Sequence, residues 1–392
     1  MIADEGGLAT APCAVGCVLA PPRFDDTTLR DGEQAAYVVF SYAEKLRIAH
    51  MLDEIGVDQI ETGIPAMGGD EYRLVEQLAQ EELRCSVLGW SRAVLADIDM
   101  TLDTGVDAIE ISLATSDLHI NSKLHKDRCW VLNTIGRCVS HAKERGAYVC
   151  VGAEDASRTD PAFLLEYAQT AQAAGADRIR YCDTVGLMEP FRLHAAIAAL
   201  CAAVDLEVEV HTHNDFGLAV ANALAAWKGG ATWINTTVGG LGERAGNAAL
   251  EPTIMALRHL EGLPLERFDT RRFTECARFV ARAASREVGV SQPVVGAYVF
   301  AHESGIHVDG LMKDSHTYEA FEPLEVGGQR AILVGKHSGS HALMLKFSAH
   351  GFELAAEQAA ALLPHVRAEA IRRKRPLYDD ELLDLYHGLA PV

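Results

Sequence analysis

Long hydrophobic runs are missing from this 392-residue sequence. None approaches the roughly 18–20 apolar residues that a membrane-spanning helix needs, which argues against an integral membrane protein. A basic segment followed by an apolar core, the signature of a secretory signal, is also missing at the start. Residues 1–21 are instead acidic and rich in glycine and alanine. We expect them to form a flexible N-terminal extension of a cytoplasmic protein.

Positive charge is scarce as well. The sequence has 35 Lys and Arg against 55 Asp and Glu, so its formal net charge is −20. This balance repels nucleic acids and anionic membranes, and it argues against either as a partner. Only nine cysteines are present, of which Cys13 and Cys17 lie close together. We therefore expect reduced thiols and no disulfide framework.

Short β-branched runs alternate with longer stretches rich in Ala and Leu through the first 250 residues. This pattern predicts eight strands, each followed by a helix, and so a closed (β/α)8 TIM barrel over residues 22–260. An open doubly wound sheet is the alternative, but the regularity of the eight units favours closure. The predicted strands begin near Arg23, Val57, Arg84, Val106, Ala147, Asp177, Leu206 and Ala231.

Residues 261–392 lack this alternation, and we expect a smaller, mainly helical C-terminal region there. Stretches 262–290 and 341–387 are predicted to be helical, whereas the Gly- and His-rich stretch 291–340 is predicted to be irregular. The basic residues Arg372–Arg375 are interpreted as the solvated end of a helix that Pro376 stops.

The strongest local pattern is EVEVHTHND. Alternate residues of a strand share a face, so Glu209, His211 and His213 should point the same way. Two histidines at this spacing can bind one metal ion through neutral imidazole nitrogens. The alternative is a pair of hydrogen-bonded core histidines.

Two further segments follow predicted barrel strands. In DTTLRDGEQ, Asp31 offers a carboxylate to complete a two-histidine, one-carboxylate site, and Arg30 offers a permanent charge for a developing oxyanion. An ordinary surface ion pair at a helix terminus is the alternative. In TTVGGLGERAGNAALE, four glycines let the backbone approach a ligand, and Asn247 offers an oxygen to a metal. The GxGxxG pattern of dinucleotide folds is absent from this loop.

Polar or ionisable residues end several more predicted strands. A role in stability does not account for so many together, which favours chemistry at the carboxyl ends of the barrel strands. These residues are Glu61, Thr62, Ser112, Glu154, Asp155, Asp183 and Thr184.

The segments FDDTTLRDGEQ, HTHND and GGLGERAGNAALE resemble the signatures of the DRE-TIM metallolyase superfamily. AHESGIHVDG and LVGKHSG resemble its acyl-CoA condensing branch, the 2-isopropylmalate and homocitrate synthases. Within that branch the sequence most resembles the homocitrate synthases of nitrogen fixation. The resemblance implies a Claisen condensation of acetyl-CoA with 2-oxoglutarate, followed by thioester hydrolysis to (R)-homocitrate and CoA. The product would supply iron–molybdenum cofactor assembly.

The resemblance also implies roles for individual residues. The ligands of a divalent metal ion (Mg²⁺, Mn²⁺ or Zn²⁺) would be Asp31, His211 and His213, with Asn247 close by. Arg30 would bind substrate and stabilise the developing negative charge. The oxo-acid pocket would be lined by Glu154 and Thr184 and supported by Glu61.

His307 and Tyr318 match residues that reach the neighbouring subunit's site in the family, so the resemblance implies a homodimer with shared active sites. The C-terminal region, residues 261–392, would then act as a lid that contributes to the dimer and the active site. His302 is a further candidate, with a packing histidine as its alternative. The enolising base is open between His307 and Glu154.

The sequence departs from the family pattern in two barrel strands. Trp90 and Arg92 stand where lysine-pathway homocitrate synthases carry an Arg-Cys-His segment, and Cys150 and Gly152 replace an Arg and a Ser. The oxo acid could therefore be 2-oxoisovalerate or pyruvate instead. A non-catalytic barrel and an aldolase-type lyase are the remaining alternatives.

Overall fold

The computed structural model describes residues 19–389. Most of the predicted N-terminal extension, with Cys13 and Cys17, lies outside the described residues. In the part of the chain that is described, no helix has the length and apolar character needed to cross a bilayer.

Eight parallel strands form a closed barrel, and each strand pairs with the next in chain order. The eight predicted strands are all present, and the predicted TIM barrel is confirmed. The strands are β1 Arg23–Asp26, β2 Gln59–Gly63, β3 Ser86–Arg92, β4 Ala108–Ala114, β5 Tyr148–Glu154, β6 Arg178–Asp183, β7 Glu207–Thr212 and β8 Trp233–Thr236.

One long helix follows each strand and packs on the outside of the barrel. These helices are α1 Tyr42–Ile55, α2 Gly69–Gln80, α3 Leu95–Asp103, α4 Arg128–Glu144, α5 Pro161–Ala173, α6 Pro190–Ala203, α7 Ala219–Lys228 and α8 Leu250–His259. The first shows how the sequence sets their limits. Ser41 and Glu44 form a capping box at its start, and Gly56 ends it in the left-handed conformation.

The C-terminal region contains five more helices and a two-stranded parallel sheet. They are α9 Phe273–Ala283, α10 Gly305–Lys313, α11 Ser340–Ala349, α12 Ala356–Arg373 and α13 Asp379–Leu389, with β9 Ala301–His302 paired to β10 Ala331–Ile332. The helical prediction for 341–387 is confirmed in its main segments. As predicted, α12 ends at the basic cluster, where Lys374 is left-handed.

Two predictions for this region are wrong in part. Residues 262–269 are not helical, because Gly262 is left-handed and Pro264 follows it. Residues 284–290 are not helical either, since α9 ends at Ala283 and Ser285 is left-handed. Residues 291–340 are not wholly irregular, since they include α10. That helix forms despite Gly305 and Gly310 because it buries Val308 and Leu311.

The buried apolar residues form two separate clusters. The larger contains the barrel core and continues through Phe300 and Val326, well beyond residue 260. The smaller consists of ten residues from Val334 to Leu382, centred on Leu343 and Phe347. The chain from 261 to about 326 therefore packs against the barrel, and only the last helices have a core of their own.

Candidate active site

Asp31, His211 and His213 meet at the carboxyl ends of β1 and β7. One ligand atom from each lies within 4.8 Å of the others, and all three side chains are buried. The two imidazole Nε2 atoms are 3.1 Å apart. Asn247 joins the group from the loop after β8, where its Nδ2 donates a hydrogen bond of 2.6 Å to Asp31 Oδ2. The structure thus brings together all four residues predicted to hold a metal.

The charges in this cluster suit a cation. Burial would raise the pKa of the Asp31 carboxyl, but Arg30 and the two histidines outweigh it and lower that pKa below its ordinary value. Burial, with His213 as the second cause, lowers the pKa of His211 to about 3. Burial also lowers the pKa of His213. At neutral pH the cluster therefore offers one carboxylate and two neutral imidazoles.

Two buried polar atoms of the cluster have no hydrogen-bond partner among the described residues. They are Asn247 Oδ1 and His213 Nδ1. Buried polar atoms are rarely left unpaired, and each unpaired one costs about 1–3 kcal/mol. A carboxylate, two imidazoles and a free amide oxygen are a donor set that divalent cations accept, so the residues present fit a metal ion.

Arg30 borders this cluster and is held from two sides. Its Nη1 donates to Asp31 Oδ1 at 2.9 Å, and its Nε donates to Glu61 on β2. The Trp90 ring on β3 lies 5.7 Å from the guanidinium carbon. Glu61, predicted as a support of the oxo-acid pocket, thus holds Arg30, and Trp90, one of the departures from the family pattern, lies beside the guanidinium.

A buried network of charges lies beneath Arg30 inside the barrel. Arg180 forms ion pairs with four carboxylates, each on a different strand: Asp25 at 2.6 Å, Glu61 at 2.7 Å, Glu209 at 2.8 Å, and Glu110. Arg178 forms another ion pair with Glu209, 2.9 Å away. Gly152 permits this arrangement, because a side chain at that position would overlap the Glu110 carboxylate.

The loop after β8 depends on a close backbone approach. Gly246 has φ +94°, and a Cβ at this position would overlap the carbonyl oxygen of Gly240. Asn247 donates its backbone N–H to that same carbonyl at 3.0 Å. Glycine at 246 is therefore required for the turn that places Asn247 beside Asp31.

Glu154 and Thr184 lie at the neighbouring ends of β5 and β6. Glu154 Oε1 pairs with Lys123 Nζ at 2.6 Å and lies 3.3 Å from His119 Nδ1. Thr184 Oγ1 accepts a hydrogen bond of 2.9 Å from the Asp155 backbone. The two predicted pocket residues are adjacent, but no hydrogen bond or ion pair joins them to the metal cluster in the described chain.

None of the predicted C-terminal residues forms a hydrogen bond or ion pair with this cluster in the described chain. His307 and Tyr318 stack on each other with ring centroids 4.1 Å apart, and both are exposed. Within residues 19–389 neither side chain forms a hydrogen bond. His302 is buried, and its Nε2 lies 3.1 Å from Glu319 Oε1, while Glu319 also binds Arg330. This burial and pairing fit its alternative, a packing or hydrogen-bonding histidine, and a role of His302 in the active site stays a prediction.

Several residues around the site were missed by the sequence reasoning. Arg178 and Arg180 could have been found, because charged residues two apart in a buried strand must face a polar interior. Asn235 on β8 occupies the same kind of alternating position. His119 and Lys123 had no comparable signal, since they belong to a loop whose path the pattern does not set.

Fold and site together define a TIM-barrel protein with a candidate metal centre at the carboxyl ends of its strands. The HMGL-like family matches residues 22–280, and the description "Homocitrate synthase post-HMGL domain-like" matches residues 294–374. The chain is 56% identical over 364 residues to 2-isopropylmalate synthase 2 of Caldanaerobacter subterraneus subsp. tengcongensis, covering 93% of this chain and 94% of that protein. It is 46% identical over 361 residues to homocitrate synthase 1 of Nostoc sp., covering 92% and 96%.

The fold also has relatives of low sequence identity. The crystal structure of hydroxymethylglutaryl-CoA lyase from Pseudomonas aeruginosa matches with a TM-score of 0.61 at 21% identity, covering 69% of this chain and 96% of that one. This likeness shows the barrel alone. The sequence matches show more: the chain belongs to the HMGL-like family, in the branch of the homocitrate and 2-isopropylmalate synthases.

Proposed function

We propose that the protein condenses acetyl-CoA with a 2-oxo acid in a metal-dependent reaction, and that 2-oxoglutarate is the oxo acid. The observation that carries this proposal is the buried cluster of Asp31, His211 and His213 beside Arg30. A divalent ion held there would polarise the keto carbonyl and make its carbon electrophilic. Mg²⁺, Mn²⁺ and Zn²⁺ all suit the donor set.

The chain's own residues supply the other parts of the mechanism. A base, Glu154 or His307, removes a proton from the methyl group of acetyl-CoA, and the resulting enolate carbon forms a bond to the keto carbon. Arg30, fixed by Glu61 and Asp31, stabilises the negative charge that passes to the former keto oxygen. Thr184 lines the pocket beside Glu154. Attack of water on the thioester then releases CoA and a tertiary hydroxy acid.

The choice of 2-oxoglutarate is supported by charge at the barrel mouth. A dicarboxylic oxo acid needs a cationic group for its second carboxylate, and Lys123 lies beside Glu154. The relative named 2-isopropylmalate synthase 2 favours a second candidate, 2-oxoisovalerate, which has a branched apolar chain. The relatives named homocitrate synthase support the first candidate. The nitrogen-fixation role stays part of that proposal, and it rests on the motif resemblance alone.

The test is release of thiol from acetyl-CoA by purified protein. Each assay contains 2-oxoglutarate, 2-oxoisovalerate or pyruvate, with and without a chelator, and His213→Ala is the matched inactive variant. We expect chelator-sensitive release with 2-oxoglutarate that His213→Ala abolishes. Release with another oxo acid would keep the chemistry and overturn the homocitrate assignment. Release that survives chelation and His213→Ala would contradict the metal mechanism.

We further propose a homodimer in which His307 and Tyr318 reach the partner's site. Apolar side chains are exposed in the segments that follow barrel strands, namely Tyr37, Val39, Met67, Phe191 and Phe216. A second exposed set lies on residues 306–324, namely Ile306, Met312, Tyr318 and Leu324. Two such surfaces on one chain suit mutual burial between two copies.

Seven free cysteines in the described chain also support the cytoplasmic location that we propose.

A complementation assay tests the shared site. Asp31→Asn and His307→Ala are each inactive as homodimers under this proposal. Mixing them under conditions that exchange subunits should restore about a quarter to a half of the activity, because half of the heterodimer sites are intact. A mixture that stays inactive, while co-purification of two differently tagged subunits shows exchange, would contradict the sharing of sites.

A further inference from the structure

A chain of two hydrogen bonds leads away from the candidate metal centre inside the barrel. It joins three side chains on three neighbouring strands. His211 Nδ1 lies 2.6 Å from Asn235 Oδ1, and Asn235 Nδ2 donates a hydrogen bond of 3.1 Å to Asp25 Oδ2. Strand register produces this line. Asn235 on β8 pairs with Asp25 on β1, and the β7–β8 ladder places Val210 opposite Ile234, one residue before His211 and Asn235.

The orientation of the Asn235 amide follows from its second neighbour. Asp25 Oδ2 accepts a hydrogen bond of 2.6 Å from the Arg180 guanidinium, which only donates. The carboxyl oxygen that faces this permanent cation is the one without a proton, so the amide NH₂ of Asn235 must face it. The amide oxygen must then face His211. An amide oxygen also only accepts, and therefore His211 carries its proton on Nδ1.

This tautomer leaves the lone pair of His211 Nε2 free. That atom points into the cluster, 3.1 Å from His213 Nε2. His213 lacks a corresponding support, since its Nδ1 is buried without a partner in the described chain. The two predicted histidine ligands therefore differ: Asn235 holds His211 from outside the cluster, whereas His213 Nδ1 has no such partner in the described chain.

We propose that Asn235 is a positioning residue that sets the tautomer of His211 and thereby the affinity of the centre for its cation. The proposal rests on the metal site of the proposed function. Asp25 takes part as well, because its carboxyl oxygen orients the Asn235 amide. Partners behind a histidine ligand commonly change metal affinity by about 10–100-fold when they are removed.

Calorimetric titration of the metal-free protein with Mn²⁺ gives the first test. Asn235→Ala should weaken binding about 10–100-fold. Asp25→Asn should weaken it less, because the amide at 235 stays but loses the carboxylate that orients it. Asn222→Ala is the matched control, since Asn222 is another buried amide that binds only the Met188 carbonyl outside the site. Its Mn²⁺ affinity should equal that of the unaltered protein.

NMR of the imidazole nitrogens in the metal-free protein gives a second readout that does not depend on activity. His211 should carry its proton on Nδ1 in the unaltered protein and in Asn222→Ala, and Asn235→Ala should shift it toward Nε2. If Asn235→Ala fails to fold, Asn235→Asp replaces it. Asn235→Asp keeps the acceptor toward His211 and should therefore keep the Nδ1 proton.

The outcomes separate this proposal from the one on which it rests. An Asn235→Ala protein that binds Mn²⁺ within threefold of the unaltered protein, or that keeps the Nδ1 proton, overturns the role of Asn235 and leaves the metal site standing. An unaltered protein that binds no Mn²⁺ overturns the metal site and the affinity role together. The tautomer measurement then still shows whether Asn235 orients His211.

Discussion

The barrel interior and the segment 301–330 present their predicted site residues in opposite ways. Inside the barrel, Asp31 and His211 are buried, the Arg30 side chain is only 10% exposed, and each is bound by a neighbour on another element. In the segment, His307 and Tyr318 are exposed and contact each other. Strand register in a single chain is thus sufficient to assemble the first group. The side chains of the second group are exposed and form no hydrogen bond in the described chain. We therefore propose that they contact the site of a partner subunit.

The largest expected effect is on the free energy of unfolding and follows from replacing Arg180. Arg180→Leu would leave Asp25, Glu61, Glu110 and Glu209 buried around an apolar side chain, and uncompensated buried charge costs about 3–5 kcal/mol or more. We expect the free energy of unfolding, measured by urea denaturation, to fall by at least that amount. Arg271→Leu, which removes an exposed pair with Asp269, should cost less than about 1 kcal/mol. Equal losses in the two variants would contradict the interpretation of the interior network.

Gly246→Ala should have the next largest effect. A Cβ at this position would overlap the Gly240 carbonyl oxygen, and the backbone is left-handed, so we expect a loss of about 1–3 kcal/mol and weaker Mn²⁺ binding through Asn247. Gly217→Ala is the control, because Gly217 is also left-handed but has open space around it. It should lose only about 1 kcal/mol and keep its Mn²⁺ affinity. If both variants bind Mn²⁺ with similar affinity, the turn at Gly246 does not control metal binding.

A smaller effect concerns pH. Burial lowers the pKa of His211 to about 3 from about 6.5 in the unfolded chain, so between these values the unfolded chain binds the extra proton. The metal-free protein should therefore lose stability as the pH falls from about 6.5 toward 3. His211→Gln should show a shallower decline over this window in thermal melts. Asp26 and Glu251, whose pKa values burial raises to about 7, act in the opposite direction in both proteins, so only the difference between them is diagnostic.

The smallest effect on stability belongs to the C-terminal segment. His307→Ala removes an exposed ring and should change the free energy of unfolding by less than about 0.5 kcal/mol. Thiol release should nevertheless fall by at least tenfold, because the residue serves the partner's site under our proposal. A His307→Ala protein that is destabilised but keeps its thiol release would contradict the proposed role of His307 in the partner's site.

The two regions also differ in how far the sequence predicted them. The eight strands and the group of Asp31, His211 and His213 followed from alternation along strands and from the rule that strand ends converge. Asn235 and Arg180 obey the same alternation, but a single strand does not show which side chains face each other across a barrel. That depends on register between strands far apart in sequence, such as Asp25 and Asn235.

The C-terminal region was less predictable for a different physical reason. Its elements between residues 291 and 340 are short and depend on tertiary packing, as α10 does, where Gly310 leaves room for the Tyr318 ring. Propensity alone argues against a helix with two glycines in nine residues. The stacking of His307 on Tyr318 was equally hidden, because nothing in their spacing indicates that the chain turns back on itself.

The central claim is that each folded chain holds a complete set of metal ligands at the carboxyl ends of its barrel strands. Anomalous diffraction from a crystal soaked in Mn²⁺ tests it most directly. The account predicts one strong anomalous peak per chain, bounded by Asp31, His211, His213 and Asn247, which is lost in His213→Ala. A crystal saturated with Mn²⁺ that shows no peak there, or the same peak in His213→Ala, would contradict it.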